Sequence, residues 1–268
     1  MRHKGRHRLG AGLTNWTAAI AAVMRREIRT RFAGGSLGYG WAIILPVTWV
    51  LAIIVFFHWI GRAAPVAVPL PIFIASGMVP YLIFRQVVTS LMRIVRANRH
   101  LITLGPATEE DLLTAGAVLE ILNIILVCVC LLLVLTLTSG VPLPPDPLIA
   151  IAGLLLAWAL GVSAGRFAAS LAYYSDTAQR LVPILLRPFF WISGIFFVAA
   201  ELPMGAQEVL WFNPLLHIIE YLRSGLLPGF ESTFAAPIVP VFAIGILYFA
   251  SRVLDAVRGL HMLEPSPR

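Results

Sequence analysis

Residues 41–60 read WAIILPVTWVLAIIVFFHWI, from Trp41 to Ile60 without one Asp, Glu, Lys or Arg. A bilayer's hydrocarbon core takes about 20 apolar residues of helix to cross. A soluble chain of 268 residues has no core large enough to surround such a run. The stretch therefore reads as a transmembrane helix, and the charges around it set its direction. Arg2, Lys4, Arg6, Arg8, Arg25, Arg26, Arg29 and Arg31 all precede it. That is the positive-inside pattern, with the N-terminus in the cytoplasm.

Composition agrees with an integral membrane protein. The chain is 59% hydrophobic and 12% charged, with mean hydropathy +0.87, which excludes disorder and an ordinary soluble domain. The net charge of +7 does not point to nucleic acid. The cations crowd the flank of an apolar run, and no aromatic-basic interleaving accompanies them. Cys128 and Cys130 lie within another apolar run; two apart on a helix they point in different directions and read as packing residues. The basic region is too long, and the first apolar run exceeds the roughly 7–15 residues of a signal-peptide core, so a cleaved leader does not fit.

Six spans follow from the apolar runs: Trp41–Ile60, Leu70–Leu91, Leu112–Thr138, Leu148–Tyr173, Leu181–Ala200 and Phe234–Ala250. Proline-rich breaks at 62–69 and 139–147 face outward. Arg93, Arg96 and Arg99 in the second connection, Arg180 in the fourth, and Arg252, Arg258 and Arg268 after the sixth span face inward. The alternation puts both termini in the cytoplasm. The expected fold is thus an all-α membrane protein of six transmembrane helices. A basic tail covers 1–15, the transmembrane domain 33–252 and a cytoplasmic tail 253–268.

Between the tail and the first span, residues 16–32 form an amphipathic helix. Trp16, Ile20, Val23, Met24 and Ile28 share one face, with Arg25, Arg26 and Arg29 largely opposite. Such a helix lies in the interface plane. The segment 201–231 is too polar for two spans and too apolar for a solvated loop. Asn213-Pro214 and Leu227-Pro228-Gly229 divide it, which predicts two short re-entrant helices. On the second of them Glu220 and Arg223, three apart, can pair.

Charged groups inside spans cost about 2.5–3.5 kcal/mol each on insertion scales and normally face a pore or a partner. Arg85, Glu120 and Arg166 are in that position. For Arg85 the alternative is snorkelling, since it lies roughly 10 Å from the inner end of its span at about 1.5 Å per residue. Arg187 sits closer to the boundary and snorkels. Trp59, Phe189, Phe190 and Trp191 form either an interfacial aromatic belt, as His58 among its aromatic neighbours also suggests, or a path on which sugar rings stack. His217 with Glu220 gives two ligands, too few for a metal site. The sequence contains no H-E-x-x-H or paired-carboxylate pattern, and no nucleophile–base constellation stands out. It also lacks G-x-x-x-x-G-K-[ST], so energy for pumping would come from another polypeptide.

Three stretches carry a resemblance. Arg26-Glu-Ile-Arg-Thr-Arg-Phe32 followed by Leu37-Gly-Tyr-Gly-Trp-Ala-Ile-Ile-Leu-Pro46, then Ser76-Gly-Met-Val-Pro80, then Trp211-Phe-Asn-Pro-Leu-Leu-His-Ile-Ile-Glu-Tyr-Leu-Arg223 resemble KpsM-like capsular polysaccharide export permeases. These are transmembrane subunits of type-2 ABC exporters of the bacterial inner membrane. The resemblance implies a homodimer enclosing a canal for a lipid-linked glycan, with two copies of a cytoplasmic ABC ATPase that bind ATP and Mg. It also implies a periplasmic polysaccharide co-polymerase and an outer-membrane export protein, and no cofactor or catalytic residue in this chain. The ATPase would dock on a coupling helix at about 96–110, through Arg96, Asn98, Arg99, His100 and Leu101. Here the chain departs from the family, which often carries basic residues around a proline in this stretch, by reading Leu104-Gly-Pro-Ala-Thr-Glu-Glu-Asp111. Arg85, Trp59, Phe190, Trp191, Asn213, Glu220 and Arg223 would line the substrate path or its gate. An O-antigen or teichoic acid exporter, a small-molecule exporter of the same class, and a passive channel or embedded transferase are the alternatives. Glu109–Asp111 alone approaches a transferase's acids and reads more simply as the solvated, dipole-favoured start of a helix.

Overall fold

Prolines and short polar caps decide where this chain starts and stops its helices. A computed structural model describes residues 20–29, 38–98, 108–139 and 144–263. Helix α1 covers 20–29, α2 Trp41–Trp59, α3 Leu70–Ala97, α4 Glu109–Ser139 and α5 Pro147–Tyr174. Then come α6 Asp176–Leu185, α7 Arg187–Ile192, α8 Met204–Leu210, α9 Pro214–Leu226 and α10 Ile238–Leu263. Among the described residues, five helices (α2, α3, α4, α5 and α10) are long and apolar enough to cross a membrane.

The starts have local causes. Asp146 accepts from the backbone N–H groups of Leu148 and Ile149, and Pro147 occupies the first turn, where its missing N–H costs nothing. Thr108 and Asp111 bond each other's backbone N–H reciprocally, a capping box for α4. Asn213 and Pro214 repeat the Asp146-Pro147 arrangement at α9.

Leu181–Ala200, expected as the fifth span, is not one helix. Leu186 separates α6 from α7, Pro188 lies in the first turn of α7, and bends occupy 193–197, where Gly194 takes φ +80°. Proline removes a helical donor, and a left-handed glycine ends the helix. The sixth expected span begins later than Phe234 and runs past Ala250, as α10.

Helix α3 occupies the centre, against α2, α4, α5 and α9. Its tight approach to α5 depends on Gly161 and Gly165, a small-xxx-small pair. A Cβ on Gly161 would lie 2.9 Å from Val87 Cβ, and one on Gly165 3.0 Å from Leu91 Cδ1. Backbones that close replace lipid contacts by van der Waals packing between helices. Helix α1 packs Ile20, Val23 and Met24 against Leu91, Ile94 and Leu112. Glu27 is buried 3.9 Å from Arg93, while Arg25, Arg26 and Arg29 are exposed. Of the face expected to be apolar, Val23 is buried and Ile20 and Met24 are half-buried, whereas Ile28 is exposed; Trp16 and the rest of 16–32 lie outside the described residues. The bundle has one end bearing the proline-rich loops around 62–69 and 144–146, and an opposite, basic end.

Candidate functional site

An interrupted helix leaves backbone carbonyls without helical partners, and apolar surroundings supply none. In 192–197 four such carbonyls receive side-chain donors. Asn213 Nδ2 donates to Ile192 O at 3.0 Å, and Arg62 Nη2 donates to Phe196 O at 2.8 Å. Arg223 takes the other two: Nη2 donates to Ile195 O and Nη1 to Phe197 O, each at 3.0 Å. Its Nε donates to Ser76 Oγ at 3.1 Å, and the guanidinium stands 4.0 Å from the Phe73 ring centroid. A planar fork with five donors suits carbonyls spread over several directions, which an ammonium cannot match.

Glu220 completes the arrangement. Its Oε1 accepts from the Ala199 backbone N–H at 3.0 Å and lies 4.0 Å from Arg223 Nη1. Its Oε2 accepts from Ser232 Oγ at 2.6 Å. The expected Glu220–Arg223 pair thus exists, but each partner's shorter bonds go to the broken segment and to the 232–236 turn. Both side chains are fully buried and held from several elements, so neither lines an open path within one chain. The Ser76-Gly77 dipeptide explains itself here. Ser76 receives Arg223, and a Cβ on Gly77 would come within 2.7 Å of Ile195 Cα.

His217 belongs to the same region, and both of its ring nitrogens face backbone groups. Its Nε2 lies 2.7 Å from Trp211 O, and the Ala236 N–H donates to Nδ1 at 3.2 Å. Among the described residues there is no group of three potential metal ligands.

The aromatics separate into two sets. Trp59 and Trp191 are 81% and 66% exposed. Phe190 is buried, with its ring edge-on to Trp49, Tyr81 and Phe196. It packs the bundle and presents no free face, contrary to its expected place along a path. Arg85 is half-buried on α3, away from the Arg223 cluster, and its Nε has no hydrogen-bond partner among the described residues. Glu120 is buried on α4 and accepts from Asn123 Nδ2 at 3.2 Å, while Tyr39 donates to Asn123 Oδ1. Arg187 is exposed.

At the basic end a second network forms. Glu110 Oε1 and Oε2 accept from Arg166 Nη2 at 2.6 and 2.7 Å, and Glu110 also accepts from Arg252. Glu109 lies 2.7 Å from Arg258, and Asp255 accepts from Ser170 at 2.8 Å. These bonds tie the first turn of α4 to the ends of α5 and α10. The acids of 109–110 are therefore ion-paired, not merely solvated, and Arg166 has a partner instead of a pore. Of the expected docking residues, Arg96 is exposed at the end of α3. Asn98 is buried and donates back to Ile94 O at 2.8 Å, closing the last turn of the helix. Arg99, His100 and Leu101 lie outside the described residues.

Sequence reasoning missed Arg62, Ser232 and the pairing of Glu110 with Arg166. Only Ser76-Gly77 had left a signal, as a motif without an assigned contact.

Comparison with known proteins adds an independent line. The ABC-2 type transporter family profile matches residues 18–227. Polysialic acid transport protein KpsM of Escherichia coli is 29% identical over 217 residues, covering 80% of this chain and 83% of the relative. Capsule polysaccharide export inner-membrane protein CtrC of Neisseria meningitidis is 23% identical over 222 residues, 81% and 82% of the two chains. BexB of Haemophilus influenzae, of the same description, is 22% identical over 246 residues, 91% and 89%.

Proposed function

The chain belongs to the ABC-2 type transporter family, and from that premise we propose that it is the membrane subunit of an ATP-driven exporter of lipid-linked capsular polysaccharide. The alignment with capsule export permeases over four-fifths or more of the chain carries this reading. In it, two copies enclose a canal across the bacterial inner membrane, and both termini are cytoplasmic. The basic end faces the cytoplasm, where a pair of ABC ATPases holding ATP and Mg docks on the connection between α3 and α4. A periplasmic co-polymerase and an outer-membrane export protein receive the glycan.

The fifth crossing is made by the kinked pair α6–α7, α10 makes the sixth, and α8 and α9 are the re-entrant helices. Bare sugars cannot cross hydrocarbon, because each unsatisfied polar group costs several kcal/mol there. A canal between copies replaces that medium, and the exposed rings of Trp59 and Trp191 offer apolar faces to sugar C–H groups. Glu220 and Arg223 act as the fixed frame of the outer gate, holding the broken segment in place, and touch no glycan themselves. ATPase closure then moves the spans as rigid bodies.

The test is a mild-detergent pull-down of the tagged chain from its own membrane, paired with its deletion. Co-purification of an ABC-type ATPase, with glycan stranded in the cytoplasm of the deletion strain, is the expected result. A dimeric preparation that brings no ATPase, or a deletion that leaves surface glycan unchanged, overturns the reading.

A further inference from the structure

We propose that the cavity enclosed by α3, α4, α5 and α9 is a binding site for one acyl chain of a membrane phospholipid. The cavity measures about 270 Å3 and is walled by residues such as Ile72 and Val79 of α3, Leu131 and Leu135 of α4, Leu154 of α5 and Leu222 of α9. Among the described residues, no charged or amide side chain lines it. Its one hydroxyl, Ser76, is already committed, donating to Phe73 O at 2.7 Å and accepting from Arg223.

That lining decides the class of guest. A sugar would find nothing to bond its hydroxyls, and water needs two to four polar partners. An apolar cavity of about 150 Å3 already takes up benzene, and this one is larger. A void left empty forfeits the dispersion contacts of its walls.

Depth decides the source. Ile72–Val79 lie in the first turns of α3, Leu131–Leu135 in the last of α4, and Ala150–Leu154 in the first of α5. At about 1.5 Å per residue, all lie within roughly 15 Å of the proline-loop end, half the thickness of a hydrocarbon core. Leu132 of α4 and Ile151 of α5 line the cavity and are also exposed on the bundle's flank. The mouth therefore opens sideways between α4 and α5, at the level where the surrounding medium is the acyl chains of one leaflet.

The seated chain supports the frame described above. Leu222 and Leu226 of α9 border the cavity on either side of Arg223 in sequence. A chain between α4 and α5 presses α9 toward Ser76 and the broken segment. The proposal needs only the membrane spans and does not depend on what is exported.

The test uses the full chain in phosphatidylethanolamine vesicles containing a phosphatidylcholine with a mid-chain diazirine, photolysed and mapped by peptide mass spectrometry. Labelling is expected at Leu131, Leu135 and Leu154 above that at Leu133, an exposed residue of α4 at the same depth. Leu135→Trp projects an indole into the cavity and obstructs it, and there the excess is lost while Leu133 still labels. Cavity labelling no higher than at Leu133, or undiminished in a folded Leu135→Trp, overturns the proposal. So does a ready disulfide between copies through Leu132→Cys, which would place a second copy at the mouth. Should Leu135→Trp fail to fold, native mass spectrometry of the unaltered chain after delipidation decides. A retained phospholipid supports the site, and a bare chain refutes it.

Discussion

Replacing Arg223 by Met keeps most of the side chain's length and apolar stem while removing every donor. Ile195 O, buried, and Phe197 O, partly buried, each bonded at 3.0 Å, then lose those donors. An unsatisfied buried acceptor costs about 1–3 kcal/mol. Glu220 simultaneously loses the cation 4.0 Å away, and removing one member of a buried pair costs roughly 3–5 kcal/mol. The two costs overlap, so the expected loss is about 3–5 kcal/mol, against about 5–15 kcal/mol for whole domains. Equilibrium denaturant unfolding in mixed lipid–detergent micelles measures it. Glu220→Gln separates geometry from charge. Its carbonyl still accepts from Ala199 N–H and its amide donates to Ser232, so about 1 kcal/mol is expected. An Arg223→Met protein within about 1 kcal/mol of the parent would refute the reasoning, as would a Glu220→Gln protein equally damaged.

Gly77→Ala drives a Cβ to 2.7 Å from the Ile195 backbone and should cost about 1–3 kcal/mol by overpacking. Gly205→Ala meets nothing within 4 Å and should be neutral or mildly stabilising in the same unfolding assay. Arg166→Ala should destabilise more than Arg252→Ala in thermal unfolding, because their side chains are 10% and 49% exposed around the same Glu110. Trp191→Ala should reduce surface glycan while leaving the membrane-inserted amount unchanged; full export by that variant removes Trp191 from the path.

What was legible in the sequence was local. The runs of α2 to α5 show in hydropathy alone, and Asp146-Pro147 and Asn213-Pro214 mark helix starts through bonds to residues two or three ahead. The break in 181–200 was not legible. Its residues after Arg187 carry no charge, and Pro188 and Gly194 are too few to tell a bent apolar span from a straight one. The bend is tolerated because Arg62 and Arg223, far away in the chain, supply the missing donors. Phe190 was misplaced for the same reason, since its burial depends on Trp49 and Tyr81 of two other helices. Arg166 could be read only as a charge in a span until Glu110 was brought beside it. The Asn-Pro-Leu…Glu…Arg motif was visible as a pattern, but its work is to satisfy backbone groups that have no sequence signature.

The two polar networks differ in what it takes to open them, and that difference says where the bundle yields. Around Arg223 the side chains of Arg223 and Glu220 are fully buried and their bonds are buried or partly buried, so opening costs most of the desolvation of those groups. At the basic end Glu110 and Arg252 each keep about half of their side-chain surface exposed, against 20% for Arg258 and 15% for Glu109, so the Glu110–Arg252 pair is the one that parts first. Exposed ion pairs are worth about 0.2–1 kcal/mol each, and water re-bonds them when they part. A force applied to the α3–α4 connection therefore separates the ends of α4, α5 and α10 before it disturbs the proline-loop end. Hydrogen exchange should accordingly be faster at 252–258 than at 215–222, and high salt should widen the gap by screening only the exposed pairs. Equal protection at both ends, unchanged by salt, would mean that the ion pairs do not limit opening and that packing of α10 against α5 does.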